Sequence, residues 1–220
     1  DRLTAILKVG LPTAVQMVVV NISYLLVTGM LNHFGVSVAA ASGVGLKVNT
    51  FAGMPCWAVG QAVTAMVGQN MGANDIERVK KTTRIGLHLN ILVTLLAVIF
   101  VQVFSEQIIL LFDPASTEVM DAGVLYLRIC CGVNSLVYAV LYTFDSFAIG
   151  IGSANIAMIN ALLDAVIVRL PVSWLLAFAA GAGYAGIYIG QAVSPLLPAV
   201  VGVLYFRGRG WERKGMGGAI

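Results

Sequence analysis

Six long runs of apolar residues constrain this chain more than any other feature. They cover residues 9–31, 51–68, 85–104, 122–144, 156–180 and 185–206. At about 18–25 residues, each run is long enough to cross a hydrocarbon core of roughly 30 Å as a helix. Only 10% of the 220 residues are charged, too few to cover a soluble domain of this length, and the mean hydropathy is +0.92. Segments of about ten residues with alternating polarity, the mark of a transmembrane β-barrel, do not occur. The expected fold class is therefore all-α: a polytopic membrane protein with helices at about 9–31, 43–69, 82–104, 122–148, 156–180 and 185–206, followed by a cytoplasmic tail at 207–220. The lipid bilayer is its first partner. Gly, Ala, Ser and Thr recur along the runs, as expected where helices pack closely together.

Charge gives the orientation. Six crossings put both termini on one side, together with the hairpin between the second and third helices. That side carries Arg2, Lys8, Arg78, Lys80, Lys81, Arg84, Arg207, Arg209, Arg213 and Lys214, ten of the thirteen Lys and Arg residues. The opposite loops hold Glu106, Asp113, Glu118 and Asp121. The positive-inside rule places the first side in the cytoplasm and the chain in a plasma or inner membrane. In the hairpin, "VGQNMGANDIERVKK", Gly72 is expected to stop the second helix and Asn74 to cap the third, with Glu77 completing a capping box. Lys47 and Arg128 lie near outer helix ends and can snorkel to the interface. The chain opens at Asp1–Arg2 with no starting Met and no signal peptide, so it reads as a piece of something longer or processed.

Polar groups within the spans are costly and so mark function or pairing. At 100° per residue they fall into stripes. Thr13, Gln16 and Ser23 share one side of the first helix, with Asn21, Thr28 and Asn32 on another. Lys47, Thr50, Met54, Trp57, Gln61 and Thr64 share a side of the second. Asn134, Tyr138, Tyr142 and Asp145 form a stripe on the fourth, and Tyr184, Tyr188 and Gln191 line up on the sixth. Such stripes suit interhelical hydrogen bonds or the lining of a wet cavity. The fifth helix holds Asp164 and Arg169, which stand about 140° apart on an α-helix; one of them is expected to pair across to another helix. Asp145 or Asp164 is a candidate to take up and release a proton during a transport cycle. Cys56, Cys130 and Cys131, odd in number and without metal-type spacing, read as small buried hydrophobes. Glycines at 150/152 and 181/183 read as tight turns or flex points.

Enzymatic chemistry is not expected. His33 and His88 sit near opposite ends of the bundle, and no HExxH or GxSxG motif is present. No organic cofactor, metal site or nucleic-acid partner is implied.

The stretches "VGQNMGANDIERVKK", "IILLFDPASTEVMDAGVLYLRI", "FAIGIGSAN" and "VRLPVSWLL", in that order and spacing, resemble the multidrug and toxic compound extrusion (MATE) family, with the resemblance running from Gly10 to Trp211. It implies one lobe of a twelve-helix transporter, with the "VRLP" and "RGRGWERK" segments similar to the second lobe and a missing N-terminal six-helix lobe as partner. It further implies export of organic cations and other amphipathic toxins in exchange for H+ or Na+. Sodium-coupled members carry acids in the first and early fourth helices; here "GLPTAVQMVVVNISYLL" offers Asn21, and the early fourth helix Asn134 and Tyr138. The candidate substrate- or ion-binding set is Gln16, Asn21, Gln61, Asn134, Tyr138, Tyr142, Asp145, Asp164, Arg169 and Tyr188. A lipid-linked oligosaccharide flippase of the same wider superfamily and a non-transporting scaffold are the alternatives.

Overall fold

A computed structural model describes residues 2–112, 116–208 and 210–212. Asp113, Arg209, Arg213 and Lys214 lie outside them. The described residues form helices throughout: α1 (Arg2–Asn32), α2 (Val36–Gly72), α3 (Ile76–Val103), the short α4 (Ser105–Leu110), α5 (Thr117–Cys130), α6 (Val133–Gly150), α7 (Ala154–Leu162), α8 (Leu170–Trp174), α9 (Gly183–Val193) and α10 (Leu196–Arg207). Among the described residues, four rods are long and apolar enough to cross a membrane: Ile6–Asn32, Ile76–Val103, Ala154–Ala179 and Gly183–Arg207. The α5–α6 pair, bent by 48°, makes a fifth if counted as one span. The remaining expected span lies within α2, which at 37 residues is long enough but is not one of these four.

Helix ends extend past the expected limits. α2 begins at Val36 and α3 at Ile76, so the hairpin between α2 and α3 shrinks to residues 73–75 and its charges ride on the first turns of α3. The cap also differs from the expected one. Asp75, not Asn74, accepts the Arg78 backbone N–H at 3.0 Å, while Asn74 turns the chain with a positive φ of 56°. A short amide side chain tolerates that left-handed conformation. Gly72 is the last helical residue, with Ala73 as the C-cap. Ser116 caps α5 by accepting from Val119 N–H. Gly152, Gly181 and Gly183 all have positive φ, placing them in tight turns.

α2 is the central element, packed along α3, α5 and α6, while α1 runs beside the 154–179 rod. Contact is close where side chains are missing. A Cβ on Gly60 would sit 2.3 Å from the Tyr142 ring, so α6 can press its aromatic side against α2. Large exposed apolar residues such as Leu25, Phe51, Leu96, Phe100, Ile167 and Leu204 cover the outside, as a lipid-facing surface requires. At the end of the bundle that holds the α2–α3 turn, a second cluster gathers Val63, Val67, Val79, Phe147, Ile151 and Trp211. Trp211 is fully buried there, stacked on Phe206 and edge-on to Phe147, with its indole N–H donating to the Phe206 carbonyl at 2.9 Å. The neighbouring Lys80 ammonium contacts both Glu77 and Glu212 at 3.1 Å.

The 154–179 rod departs from α geometry. Between α7 and α8, residues Leu163–Arg169 form a π-helical stretch in which the Leu170 N–H reaches the Ala165 carbonyl; a second widened turn covers Leu175–Ala179. Pro171 lies between them. Its ring clashes with the carbonyl four residues back in a regular helix and it offers no N–H, a local conflict that widening of the adjacent turn eases.

Candidate functional site

The polar stripes converge on a single space. A cavity of about 720 Å³, open on one side, is lined by α1, α2, α3, α5, α6, the widened turn of the fifth rod and α9. That is within the range of roughly 300–1,000 Å³ that holds drug-sized ligands. Nine of the ten candidate residues line it: Gln16, Asn21, Gln61, Asn134, Tyr138, Tyr142, Asp145, Asp164 and Arg169. Helical periodicity explains the convergence, since the lining positions of α1, α2 and α6 recur on one side of each rod.

Tyr188 does not join them. It is fully buried behind the wall, edge-on to Tyr126 at 5.1 Å and hydrogen-bonded to Ser42 at 2.7 Å. Tyr184 packs beside Tyr188, so of the α9 stripe only Gln191 faces the cavity. A buried phenol paired with a serine satisfies its polar end while filling the core, which periodicity alone does not distinguish from a cavity position. Ser23 is likewise buried in the wall, and Met54 is exposed on the outside. Lys47 is exposed, as is Arg128, which lies 3.7 Å from Glu106.

The lining also contains residues the stripes did not single out. Tyr24 follows Gln16 by two helical turns and so shares its face, a signal the spacing carried. Asn49, Thr94 and Cys56 line it too. All three cysteines are buried. Tyr138 and Tyr142 lie with rings nearly parallel, 6.1 Å apart, and with Tyr24 and Trp57 they give the cavity an aromatic character.

Three charged groups reach the lining, and they are held differently. Asp164 and Arg169 form a direct ion pair, each about 4% exposed. The expectation that α geometry separates them by about 140° fails because the backbone between them is π-helical, and i→i+5 register stacks residues five apart. Arg169 also pairs across: its guanidinium donates to Ser23 on α1 at 3.0 Å and to Ser194, between α9 and α10, at 3.4 Å. It covers the Tyr24 ring at 4.5 Å, in cation–π range. Asp145 is different. It is 5% exposed and accepts from the Asn160 amide at 2.6 Å, and among the described residues it has no ion pair with a base. Asn160, one α turn before Asp164, was not among the candidates. Around this end of the cavity Asn160 Oδ1, Asp164 Oδ1 and Gln191 Nε2 are buried without a hydrogen-bond partner.

The bundle has known counterparts. The MatE family model matches residues 12–175. The chain belongs to the MatE family. Among relatives, it is 35% identical over 112 residues to the probable multidrug resistance protein YoeA of Bacillus subtilis, a match covering 51% of this chain and 24% of YoeA. It is 26% identical over 211 residues to the probable multidrug resistance protein NorM of Thermotoga maritima, covering 95% of this chain and 45% of NorM. Its fold matches the structure of the MATE transporter ClbM in complex with Rb+ with a TM-score of 0.89 at 20% identity, over 96% of this chain and 49% of ClbM. The chain thus spans about half the length of the MatE proteins it aligns with from end to end.

Proposed function

We propose that this chain is one six-span lobe of a secondary active transporter that exports amphipathic organic cations in antiport with protons or sodium. One observation carries the reading: a drug-sized cavity whose wall presents a carboxyl group without a basic partner, Asp145, beside Tyr24, Trp57, Tyr138 and Tyr142. An amphipathic cation finds there both aromatic faces and a compensating charge. Among the described lining residues the one base is Arg169, already committed to Asp164, Ser23 and Ser194. That disfavours a lipid-linked pyrophosphate, which needs free cationic groups, and hence the flippase alternative.

Asp145 is the coupling acid in this reading, and Asp164 a structural partner of Arg169. A second six-helix lobe closes the cavity from the open side, and the protein lies in the plasma or inner membrane with the α2–α3 turn and both ends of this segment in the cytoplasm. The chemistry is transport, with no bond made or broken.

The test is efflux of a fluorescent organic cation from proteoliposomes holding the intact protein, driven in turn by a proton and a sodium gradient. Asp145→Asn should abolish gradient-driven efflux while leaving dye binding measurable. Efflux unaffected by Asp145→Asn removes it as the coupling acid. Failure of both gradients to move any cationic dye removes the export reading.

A further inference from the structure

The ion pair between Asp164 and Arg169 bridges the π-helical turn that carries it. With α geometry, Cα atoms five residues apart lie about 8.6 Å from each other on diverging faces. The observed contact exists because residues 163–169 adopt i→i+5 bonding. Conversely, such turns are rare and often found at functional sites. Pro171 excuses a missing N–H only at one position, whereas the widened turn begins eight residues earlier, at Leu163. The group that spans the turn from end to end is the Asp164–Arg169 pair. It is buried, and its cationic end is the meeting point of three rods through Ser23 and Tyr24 of α1 and Ser194 of the sixth. Asp164 is tied at one oxygen, while Oδ1 has no partner.

We propose that residues 163–169 are a charge-held register switch: the negative charge on Asp164 keeps the turn in π register, and neutralising that charge returns it to α register. The return swings Arg169 away from Ser23 and Ser194, and so unfastens α1 and the sixth rod from the fifth at the level of the cavity. The titratable and charged groups that share the cavity wall with the switch are Arg169 on the same rod, Tyr24 from α1, Tyr126 and Cys130 from α5, and Asp145 and Tyr138 from α6. The inference concerns how the cavity wall moves and is independent of which compound the cavity takes.

Engineered thiols report the register. Leu163→Cys with Val168→Cys places two thiols five residues apart inside the turn, in the intact protein with Cys56, Cys130 and Cys131 replaced by Ala. A disulfide needs Cα atoms within about 7 Å, which the π register supplies and the α register does not. With Asp164 and Arg169 intact, mild oxidation followed by proteolysis and mass spectrometry should recover the linked peptide in most molecules. Adding Asp164→Asn should lower the yield at least fivefold, and Asp164→Glu should restore it. Because Asp164→Asn alone leaves Arg169 buried without its counter-charge, Asp164→Asn with Arg169→Gln is run alongside; that pair buries no charge and should also lose the cross-link. Failure of the thiols to link in the native-charge background overturns the proposal. So does a yield that survives removal of both charges in monodisperse protein.

Discussion

Replacing Trp211 with Ala tests whether the segment after α10 is fastened to the bundle. The side chain is 1% exposed, meets Phe147 at a ring distance of 4.9 Å and Phe206 at 6.0 Å, and donates one hydrogen bond to the Phe206 carbonyl. A buried indole removes about 150–250 Å² from water. At about 25 cal/mol per Å² that is an upper bound near 4–6 kcal/mol, and the lost hydrogen bond adds about 1 kcal/mol. Partial collapse of the site offsets some of this, so the expected loss is about 3–5 kcal/mol, the usual range for large aromatic truncations. For a chain of this size that lowers Tm by roughly 6–20 °C. Trp211→Phe keeps ring contacts on both neighbours but loses the N–H, and should cost about 1–2 kcal/mol. Thermal unfolding of purified protein, followed by far-ultraviolet circular dichroism, reads both. Equal Tm values for the two variants, or an Ala shift under 2 °C, would refute the docking argument.

Arg169→Met should be strongly destabilising, by about 3–5 kcal/mol, because it strands the buried Asp164 carboxylate; adding Asp164→Asn should recover most of that in the same thermal assay. Gly60→Ala forces a methyl into the Tyr142 ring, at 2.3 Å, and should lower stability by about 1–3 kcal/mol, with weaker dye binding measured by fluorescence titration as Tyr142 is pushed toward the cavity. Asp75→Ala removes the cap on α3 and should cost about 0.5–2 kcal/mol; unchanged stability would return the capping role to Asn74.

Much of the architecture was legible because the period of an α-helix is fixed. Stripes on the first, second and fourth rods, once placed at 100° per residue, pointed to the side that faces the cavity, and Gln16, Gln61, Tyr138 and Asp145 lie where that spacing puts them. The same assumption misled at Asp164 and Arg169, since a backbone that changes register between two residues invalidates any angle computed across them. Pro171 was visible, but a proline announces a disturbance without saying how the chain resolves it. Tyr188 illustrates a different limit: a tyrosine facing inward satisfies its hydroxyl equally well on a neighbour's serine, and Ser42 lies 146 residues away in sequence. Caps shifted by one residue for a local reason, as Asn74 and Asp75 are both able to cap and only the sharpness of the turn decides between them.

The unbroken length of α2 has a mechanical consequence. It lines the cavity from Leu46 to Thr64 and ends at Gly72, beside the charged start of α3. From Pro55 to Gly72 is 17 residues, about 26 Å along a rigid rod. A tilt of about 10° about Pro55 would therefore carry the hairpin some 4–5 Å, amplifying at the water-exposed end an event too small to see at Gln61. A fluorophore at the exposed Ala73 would then register cavity occupancy without touching any residue that lines the cavity.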